Sequence, residues 1–504
     1  MRTTENASTT AGLFVAMTFL APSVISLDPN GVSRPLPHFW EHMFGSCHAP
    51  TTLTEDWRND LRALKSIIDV RYVRFHGIFG RDVGLFDGFA ADGSIKFNFT
   101  RVDLIYDGLL DLGISPFIEL SFMPEEFSER VIQHPFWYRP NVAPPKDLTV
   151  WGKFVEGFVR HLVERYGLDV VENWYFEVWN EPNIDFWTGE PKQKTYFALY
   201  DVTAEAVKAV SPRLRVGGPA TAQAAWVTPF LRHCEEAGVP VDFVSTHIYP
   251  NDPAQGVFGR NQTIPLAEMV GLAVRKVHSE VEASPFPDLP VIWSEYNAGS
   301  SGVQLDTAYV GPWLANTIRQ CAGGLVSDMS YWTFTDAFFE EAGVFRSVFS
   351  AGYGLIATGS IPKASFNAFR ILHYLGDEQI ELDCESALLT RRSADGALVL
   401  AVWNYSAPGE KANERLFEIH LDQLAGSSIR ALTHLVDDEH GSPFTAWLAM
   451  GSPPWPTRDE RVRLRRVADL AQPVEAEIGA DARFRLNLRS NALAVVELMG
   501  RGPV

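Results

Sequence analysis

The stretch 174-WYFEVWNEPN-183 begins as an apolar β-strand and ends in a turn that carries an acid. Pro182 cannot donate a hydrogen bond to a sheet, so the strand has to end before it, and Asn183 favours a turn. Taken alone, the pattern is equally typical of a strand whose exit carries a solvated carboxylate. The rest of the chain decides whether Glu181 has a further role.

Short apolar segments like this one recur along the chain and alternate with longer segments whose apolar residues are spaced by three and four, a pattern typical of repeated β-α units. The predicted strands are His38–Gly45, Val70–Phe75, Ile114–Leu120, Trp174–Val178, Leu214–Gly218, Val241–His247, Pro290–Glu295 and Asp328–Phe334. Eight strand-helix pairs over roughly 300 residues predict an α/β fold of the (β/α)₈ TIM-barrel type. A doubly wound open sheet is the alternative, but no glycine-rich phosphate fingerprint follows the first strand.

The segments between the strands predict amphipathic helices. In 54-TEDWRNDLRALKSI-67, Thr54 is a candidate N-cap. The helix-like segments from Thr100 and from Trp151 each run to a glycine, Gly113 and Gly167, and glycine is common where a helix ends.

After about Tyr353 the pattern changes to short strands and tight turns. Two hairpins are predicted, one with Asp395-Gly396 at its tip and one with Ser490-Asn491 near its turn. The apolar stretch Leu13–Leu27 is expected to add strands to the same region. The predicted organisation is an N-terminal segment (1–35), a catalytic barrel (36–352) and a β-sandwich accessory domain (353–504).

Composition limits the classes of partner. The 504 residues carry a formal net charge of -19, which argues against nucleic acids and anionic membranes because such a surface repels phosphate. Ala11–Leu20 loosely resembles a signal peptide, but Glu5 lies in the would-be basic region and no clear cleavage site follows. A cytoplasmic location is therefore predicted, with secretion or a periplasmic location as the alternative.

The cysteines predict neither a disulfide framework nor a zinc site. Cys47, Cys234, Cys321 and Cys384 are widely separated and contain no CxxC pair, so buried free thiols are expected. Clusters of His, Asp and Cys with metal-ligand spacing are also absent from the sequence. We predict no metal and no cofactor.

In a barrel of this kind the carboxyl ends of all strands meet at one open face. Glu181 follows the fourth predicted strand and Glu295 ends the seventh, so residues 114 positions apart are expected at the same mouth. Two carboxyl groups facing each other across a pocket are what glycoside hydrolysis requires, one to protonate the leaving oxygen and one to attack or to activate water.

Several strand-end motifs, taken in order, resemble those of glycoside hydrolase family 39, whose members include β-xylosidases and α-L-iduronidases. They are RFHGIF, FEVWNEPN, STHIYP, the Ser294-Glu295-Tyr296 segment and YWTFTDAFFEEAG, followed by the β appendage. The resemblance implies a retaining mechanism in which Glu181 is the general acid/base and Glu295 the nucleophile. It also implies that Asn180 binds the sugar 2-hydroxyl.

The resemblance extends to the walls of the sugar pocket. It implies that His76, His247 and Tyr249 line the bottom of the pocket and that Trp332 offers an aromatic face. One acid of the Glu340-Glu341 pair is implied to bind a hydroxyl, without an indication of which. For Trp332, core packing is the competing interpretation, and for the acid pair it is a solvated surface.

Four other residues near strand ends have weaker assignments. Glu119 lies inside the third strand and nothing in the sequence pairs it with a role. Glu177 alternates to another side of its strand and is predicted to be a buried partner for a basic group. His42 and His48, at the first strand, are equally consistent with pocket and structural positions.

The expected substrate is a small oligosaccharide or glycoside. A uronidase needs a cation for the substrate carboxylate, but Tyr249 stands where the resemblance places a lysine in iduronidases, which leaves Arg346 as the candidate. We predict an exo-acting β-xylosidase, with α-L-iduronidase, α-L-arabinosidase, β-glucosidase and an inactive sugar-binding protein as alternatives. The sequence is also compatible with a homo-oligomer, in which the β appendage would provide the contact between subunits.

Overall fold

The computed structural model describes residues 22–410, 413–424 and 429–500. Ala11–Leu20, which resembles a signal peptide, lies outside the described residues. Within them, eight parallel strands close into a barrel, as predicted. These strands are β1 (Met43–His48), β2 (Tyr72–His76), β3 (Ser115–Glu119), β4 (Tyr175–Glu177), β5 (Arg215–Thr221), β6 (Phe243–Ile248), β7 (Val291–Tyr296) and β8 (Asp328–Tyr331).

A helix follows each barrel strand and packs on the outside. The helices are α1 (Glu55–Lys65), α2 (Thr100–Leu110), α3 (Leu148–Tyr166), α4 (Lys192–Val210), α5 (Val227–Ala237), α6 (Met269–Glu282), α7 (Val310–Cys321) and α8 (Ala364–Leu372). Thr54 stands at the N-cap position of α1, but its hydroxyl donates to the carbonyl of Thr51 (2.7 Å) and does not cap the helix. None of the helices in the described ranges is both long and apolar enough to cross a bilayer.

Shorter elements lie in the loops of the barrel and of the β region. A small hairpin pairs Phe86–Phe89 with Ile95–Phe97 between β2 and α2, and another pairs Ile356–Ala357 with Ile361–Pro362 before α8. The additional helices are Leu168–Val171, Ala254–Phe258, Phe444–Ala449 and Arg458–Ala468, with 3₁₀ turns at Ala49–Leu53, Glu125–Phe127, Ala222–Ala224, Val303–Asp306 and Asp422–Leu424.

The first strand differs from its prediction: it begins at Met43, five residues after His38, and extends to His48. Phe39 and Trp40 are buried, but in a turn below the barrel, where the carbonyl of Phe39 accepts a hydrogen bond from the amide of Met329 (3.0 Å). A short apolar run does not by itself distinguish a strand from a buried turn.

The remaining strands form two sheets. The smaller sheet has the order Ser23–Ser26, Arg415–His420, Arg483–Leu488. The larger has the order Ser33–Pro35, Glu378–Ile380, Ala387–Arg391, Leu398–Asn404, Ala492–Gly500, Ile429–Val436, Val474–Ile478. Each sheet therefore takes one strand from the N-terminal part of the chain.

One predicted hairpin exists and the other does not. Ala387–Arg391 pairs with Leu398–Asn404 around Asp395-Gly396, as predicted. Arg483–Leu488 and Ala492–Gly500 join different sheets, so the prediction of a hairpin at Ser490-Asn491 was wrong. These two strands differ in burial. Arg483–Leu488 exposes alternate residues, whereas Ala492–Gly500 is buried on both faces almost to its end and occupies the interior of the large sheet.

The large sheet is covered on both faces, as the strand Leu398–Asn404 illustrates. Leu398, Leu400 and Val402 belong to the core between the two sheets, and Val399, Ala401 and Trp403 belong to the core of the barrel. Helix α8, which lies beyond residue 352, packs against both α7 and this sheet. The barrel and the β region therefore share one continuous core.

Candidate active site

The exit of β4 determines where Glu181 points. Trp179 (φ 72°) and Glu181 (φ 43°) adopt left-handed conformations, which are costly for side chains with a Cβ and cluster at functional sites. The turn is held by a hydrogen bond from the amide of Glu181 to the carbonyl of Ala220 (2.8 Å) at the end of β5. This backbone geometry, together with Pro182, places Asn180 and Glu181 at the barrel mouth.

Glu181 and Glu295 face each other across a short gap. His247 lies between them, with Nδ1 at 3.1 Å from Oε1 of Glu181 and 3.7 Å from Oε2 of Glu295. One oxygen of each carboxyl group and a nitrogen of His247 lie within 4.8 Å of one another. Carboxyl oxygens this close fit retaining glycosidases, whose carboxyl groups lie roughly 5–5.5 Å apart, better than inverting ones, whose carboxyl groups lie roughly 6.5–9.5 Å apart.

Both oxygens of Glu295 accept hydrogen bonds. Nη1 of Arg74 donates to Oε1 (2.7 Å), and the hydroxyl of Tyr249 donates to Oε2 (2.8 Å). Glu295 is only 4% exposed, so these two donors replace most of its hydration. They fix the orientation of the carboxyl group towards the pocket.

Arg74, on β2, is fully buried at the centre of the mouth. Besides Glu295 it contacts Oε2 of Glu177 through Nε (2.7 Å), and Nη2 reaches Oε2 of Glu119 (2.7 Å) and Oδ1 of Asn180 (3.0 Å). Burial by itself raises the pKa of Glu177, but the charge of Arg74 outweighs burial and lowers this pKa overall. Glu177 is thus a buried partner of a basic group, as predicted.

Glu119, His76 and Glu340 form a second polar chain along the pocket floor. Nδ1 of His76 lies 2.6 Å from Oε2 of Glu119, and Nε2 lies 3.8 Å from Oε2 of Glu340. Burial raises the pKa of Glu119 to about 8, raises that of Glu340 well above its usual range, and lowers that of His76 well below it. Burial therefore opposes the charged form of each of these three groups.

Burial also raises the pKa of Glu181 to about 8, and the charges of Asp185 and Glu119 act in the same direction against that of Arg74. The Glu181 carboxyl group is therefore protonated at neutral pH. Burial lowers the pKa of His247. Its Nδ1 lies 3.1 Å from Oε1 of Glu181 and its Nε2 lies 3.1 Å from the hydroxyl of Ser294, so the ring links the two groups by hydrogen bonds.

Trp332 lies against the same floor. Its ring centroid is 4.6 Å from that of His76, and the guanidinium carbon of Arg74 lies 5.7 Å from its centroid. A Cβ at Gly45, on β1, would overlap the indole, so this glycine allows the ring to approach the strand. Trp332 is 4% exposed and packs on the floor of the pocket.

The two acids of the FFEE segment, Glu340 and Glu341, lie in different environments. Glu340 is buried and accepts a hydrogen bond from the hydroxyl of Tyr138 (3.0 Å), whose ring stacks on His48 at 3.7 Å. Glu341 is exposed. Of the pair, Glu340 is thus the acid brought next to His76.

The loops that carry these residues are tied together beneath the mouth. The fully buried Lys363 pairs with Asp306 (2.7 Å), after β7, and with Asp336 (2.6 Å), after β8. Its Nζ also donates to the carbonyl of Gly352 (2.9 Å). This network joins the loop that contains Glu340 to the one that follows Glu295.

Comparison with known proteins decides the family, because the model of Glycosyl hydrolases family 39 matches residues 23–484. The chain belongs to this family. This family 39 glycoside hydrolase is 37% identical over 447 residues to a beta-xylosidase of Geobacillus stearothermophilus, covering 86% of the chain and 87% of the relative. It is 24% identical to an alpha-L-iduronidase of Canis lupus familiaris, covering 96% of the chain and 80% of the relative.

A solved structure agrees with this assignment. The crystal structure of a monomeric beta-xylosidase from Caulobacter crescentus CB15 superposes with a TM-score of 0.84 at 32% identity, and the match covers 95% of this chain and 99% of the other. The predicted family, the barrel fold and the glycoside hydrolase class are therefore confirmed.

The structure brings together, at one mouth of this family 39 hydrolase, most of the side chains singled out in the sequence: Asn180, Glu181, His76, His247, Tyr249, Glu295, Trp332 and Glu340. One candidate lies elsewhere: His42 precedes β1 at the opposite end of the barrel, where it contacts Asp328 (3.0 Å). Arg346 is exposed.

Three residues at the mouth were missed. Arg74 was not singled out, Glu119 was judged to lack a partner, and Tyr138 lies in a loop without a recognisable motif. A signal for Arg74 was present, because residues two apart on a strand share a face and Arg74 is two before His76. Glu119's partners Arg74 and His76 come from another strand, so its own segment contains no indication of them.

Three of the residues at the mouth also have the ligand types and spacing to hold a metal ion: Glu181, His247 and Glu295. In the described ranges, His38, Glu41 and His373 form a second such group. Glu295 already accepts hydrogen bonds from Arg74 and Tyr249, and the glycosidase chemistry that this arrangement supports proceeds without a metal.

Proposed function

We propose that the protein is a retaining, exo-acting β-xylosidase that removes xylose from the non-reducing ends of xylo-oligosaccharides. The observation that carries the proposal is the facing pair Glu181 and Glu295, with carboxyl oxygens within 4.8 Å and different surroundings. The beta-xylosidase of Geobacillus stearothermophilus, which is similar over most of both chains, supports the choice of sugar.

In the first step, a carboxylate oxygen of Glu295 attacks the anomeric carbon as the glycosidic C–O bond breaks. The leaving oxygen takes the proton of Glu181, whose pKa of about 8 keeps it protonated at neutral pH. Arg74 and Tyr249 hold Glu295 in line for the attack. The product of this step is a covalent glycosyl-enzyme.

In the second step, the ionised Glu181 takes a proton from a water molecule, which attacks the same carbon and breaks the ester bond to Glu295. Asn180 contacts the sugar 2-hydroxyl through both steps, a contact that strengthens as the ring gains oxocarbenium character. Its Oδ1 is held by Arg74, which orients the amide group.

The electrostatics of the pocket floor favour a neutral sugar. The donors of Arg74 already contact Glu177, Glu295, Glu119 and Asn180. This guanidinium group therefore has no free pair of N–H donors for a substrate carboxylate. Glu340 and His76, whose charged forms are disfavoured by burial, suit the hydroxyls of a pentose. A uronate would therefore not find a free cation in Arg74, which argues against an α-L-iduronidase.

A panel of aryl glycosides tests the substrate, with β-xyloside, α-L-arabinoside, β-glucoside and α-L-iduronide compared side by side. We expect the highest kcat/KM on the β-xyloside. Release only from the iduronide overturns the choice of sugar. Hydrolysis of none of the four would support the inactive sugar-binding alternative.

Two variants test the roles of the carboxyl groups. Glu295→Ala should remove hydrolysis of every xyloside, by at least about 10⁴-fold in kcat. Glu181→Ala should lose most of its activity on xylosides with poor leaving groups. It should lose least on xylosides with activated aryl leaving groups, which need little protonation. Glu236→Ala, at an exposed position of α5, is the control and should match the wild type.

Assembly and location remain predictions from the sequence. The Caulobacter crescentus relative is described as monomeric, which does not favour the homo-oligomer that the sequence leaves open. Gel filtration with light scattering distinguishes the two states. A cytoplasmic location remains the prediction, and fractionation of expressing cells tests it.

A further inference from the structure

A second cleft lies outside the barrel mouth, where α6 and α7 meet the β region. Its volume of about 600 Å³ lies in the range of ligand sites. Its lining includes four arginines, Arg34, Arg275, Arg319 and Arg415. None of these residues belongs to the polar network around Glu181 and Glu295.

The positive charge of the cleft is only partly compensated. Two acids, Glu268 and Glu385, line it against the four arginines. Within the described part of the chain, none of the four guanidinium groups has a carboxylate oxygen within 4.0 Å. An excess of cations at one place is notable in a chain with a net charge of -19, because such a site concentrates anions.

Part of this charge serves the fold. Arg275 donates to the carbonyl of Gln320 near the end of α7 (3.4 Å), and Arg415 donates to the hydroxyl of Ser386 (3.0 Å). Such contacts stabilise a helix end and a strand edge. Arg415 also donates to the hydroxyl of Ser23 (3.4 Å), and Arg319 donates to Oδ1 of Asn316 (3.2 Å). These contacts use at most two of the five donors of each guanidinium group, so most of its hydrogen-bonding capacity remains.

Two buried polar atoms in the cleft lack partners among the described residues. They are Nε of Arg319, a donor, and Oε1 of Gln379, an acceptor. Leaving a buried donor or acceptor unpaired costs on the order of 1–3 kcal/mol, so each such atom calls for an explanation. Burial and the charge of Arg275 also lower the pKa of Arg319. A bound anion would accept a hydrogen bond from Nε of Arg319 and reduce the repulsion between Arg275 and Arg319.

We propose that this cleft binds a sugar acid, a carboxylate that carries neighbouring hydroxyl groups. Arg275 and Arg319 hold the carboxylate, since the guanidinium fork matches its two oxygens. A hydroxyl donates to Oε1 of Gln379, and the half-buried ring of Tyr405 lies on the sandwich side of the cleft. Inorganic phosphate fits less well because it offers few O–H donors and fills little of 600 Å³.

The inference does not depend on the sugar cleaved at the barrel mouth, and its test is a binding measurement. Isothermal titration with D-glucuronate, D-glucose and inorganic phosphate separates the ligand classes. We expect glucuronate to bind with a Kd on the order of 1 mM or tighter, and glucose not to bind. Equal binding of phosphate, or of glucose, overturns the sugar-acid assignment, and so does absence of glucuronate binding.

Variants locate the site. Arg275→Gln changes an exposed residue and should fold normally while weakening glucuronate binding at least tenfold. Arg319→Gln should act in the same way, and hydrolysis of the aryl xyloside should be unchanged in both. Arg232→Gln, which removes an exposed arginine of α5, is the matched control. Glucuronate binding that survives the Arg275 and Arg319 changes places the ligand elsewhere and overturns the proposal.

Discussion

The barrel mouth and the large β-sheet are both deeply buried, but they are buried in opposite ways. The strand Leu398–Asn404 places apolar side chains on both faces of the sheet. Successive side chains alternate between the core of the barrel and the core between the two sheets. At the mouth, Arg74, Glu119, Glu177 and Glu295 are buried together, although burying charge is costly. The sheet is arranged for stability, whereas the mouth retains a costly arrangement that catalysis needs.

The sharpest way to test this contrast is to remove the cation at the mouth. Arg74→Met leaves buried carboxyl groups without their partner, and breaking such a pair costs about 3–5 kcal/mol. We also expect kcat on an aryl β-xyloside to fall by at least about 10²–10³-fold, because Glu295 loses a donor that orients it. Denaturant midpoints and steady-state kinetics on the same preparation measure both effects.

Arg213→Met is the matched control for that change. Arg213 pairs with Asp169 (3.0 Å) at the surface, with half of its side chain exposed, and exposed ion pairs contribute at most about 1 kcal/mol. Equal losses in the two variants would contradict the view that buried charge distinguishes the mouth.

The opposite change weakens the sheet and spares the mouth. Leu400→Ala removes a fully buried side chain from the core between the sheets, which should lower the free energy of unfolding by about 2–5 kcal/mol. The kcat of the folded enzyme should be unchanged, since Leu400 contacts no residue of the mouth. Leu448→Ala, half exposed, should change stability by no more than about 0.5 kcal/mol. A large fall in kcat for Leu400→Ala would show that the two regions are coupled.

The smallest expected effect lies at the end of the barrel opposite the mouth. Glu41 accepts from His373 (2.9 Å) and lies 2.9 Å from Nδ1 of His38. The hydrogen bond to Glu41 raises the pKa of His373. Burial alone would raise the pKa of Glu41, but the two histidines outweigh it and lower this pKa.

The signs of these shifts define a pH window. The contribution of His373 is present below its unfolded pKa of about 6.5 and disappears as pH rises through its folded pKa, and that of Glu41 disappears in acid. His373→Gln should therefore lower Tm by a few degrees near pH 6 and by nothing near pH 9. His278→Gln, which removes the more exposed contact with Glu282 (3.4 Å), is the control. A Tm difference that is constant with pH would contradict the ion pair.

The regular elements were accessible from local sequence. Every barrel strand and the hairpin at Asp395-Gly396 follow from hydrophobic period and turn residues, which are properties of neighbouring positions. Errors arose where one local pattern fits two environments. The apolar residues Phe39 and Trp40 are buried in a turn, and Arg483–Leu488 leaves its sequence neighbour for another sheet.

By itself the sequence determined the barrel, the positions of Glu181 and Glu295 at its strand ends, and the family resemblance, because these depend on spacing along the chain. Only the tertiary structure decided which charges meet. Arg74 gathers carboxyl groups from β3, β4 and β7, and Glu340 reaches His76 from the β8 loop. Burial and the distances between charges set the protonation of these groups, and both arise only when distant segments of the chain pack together.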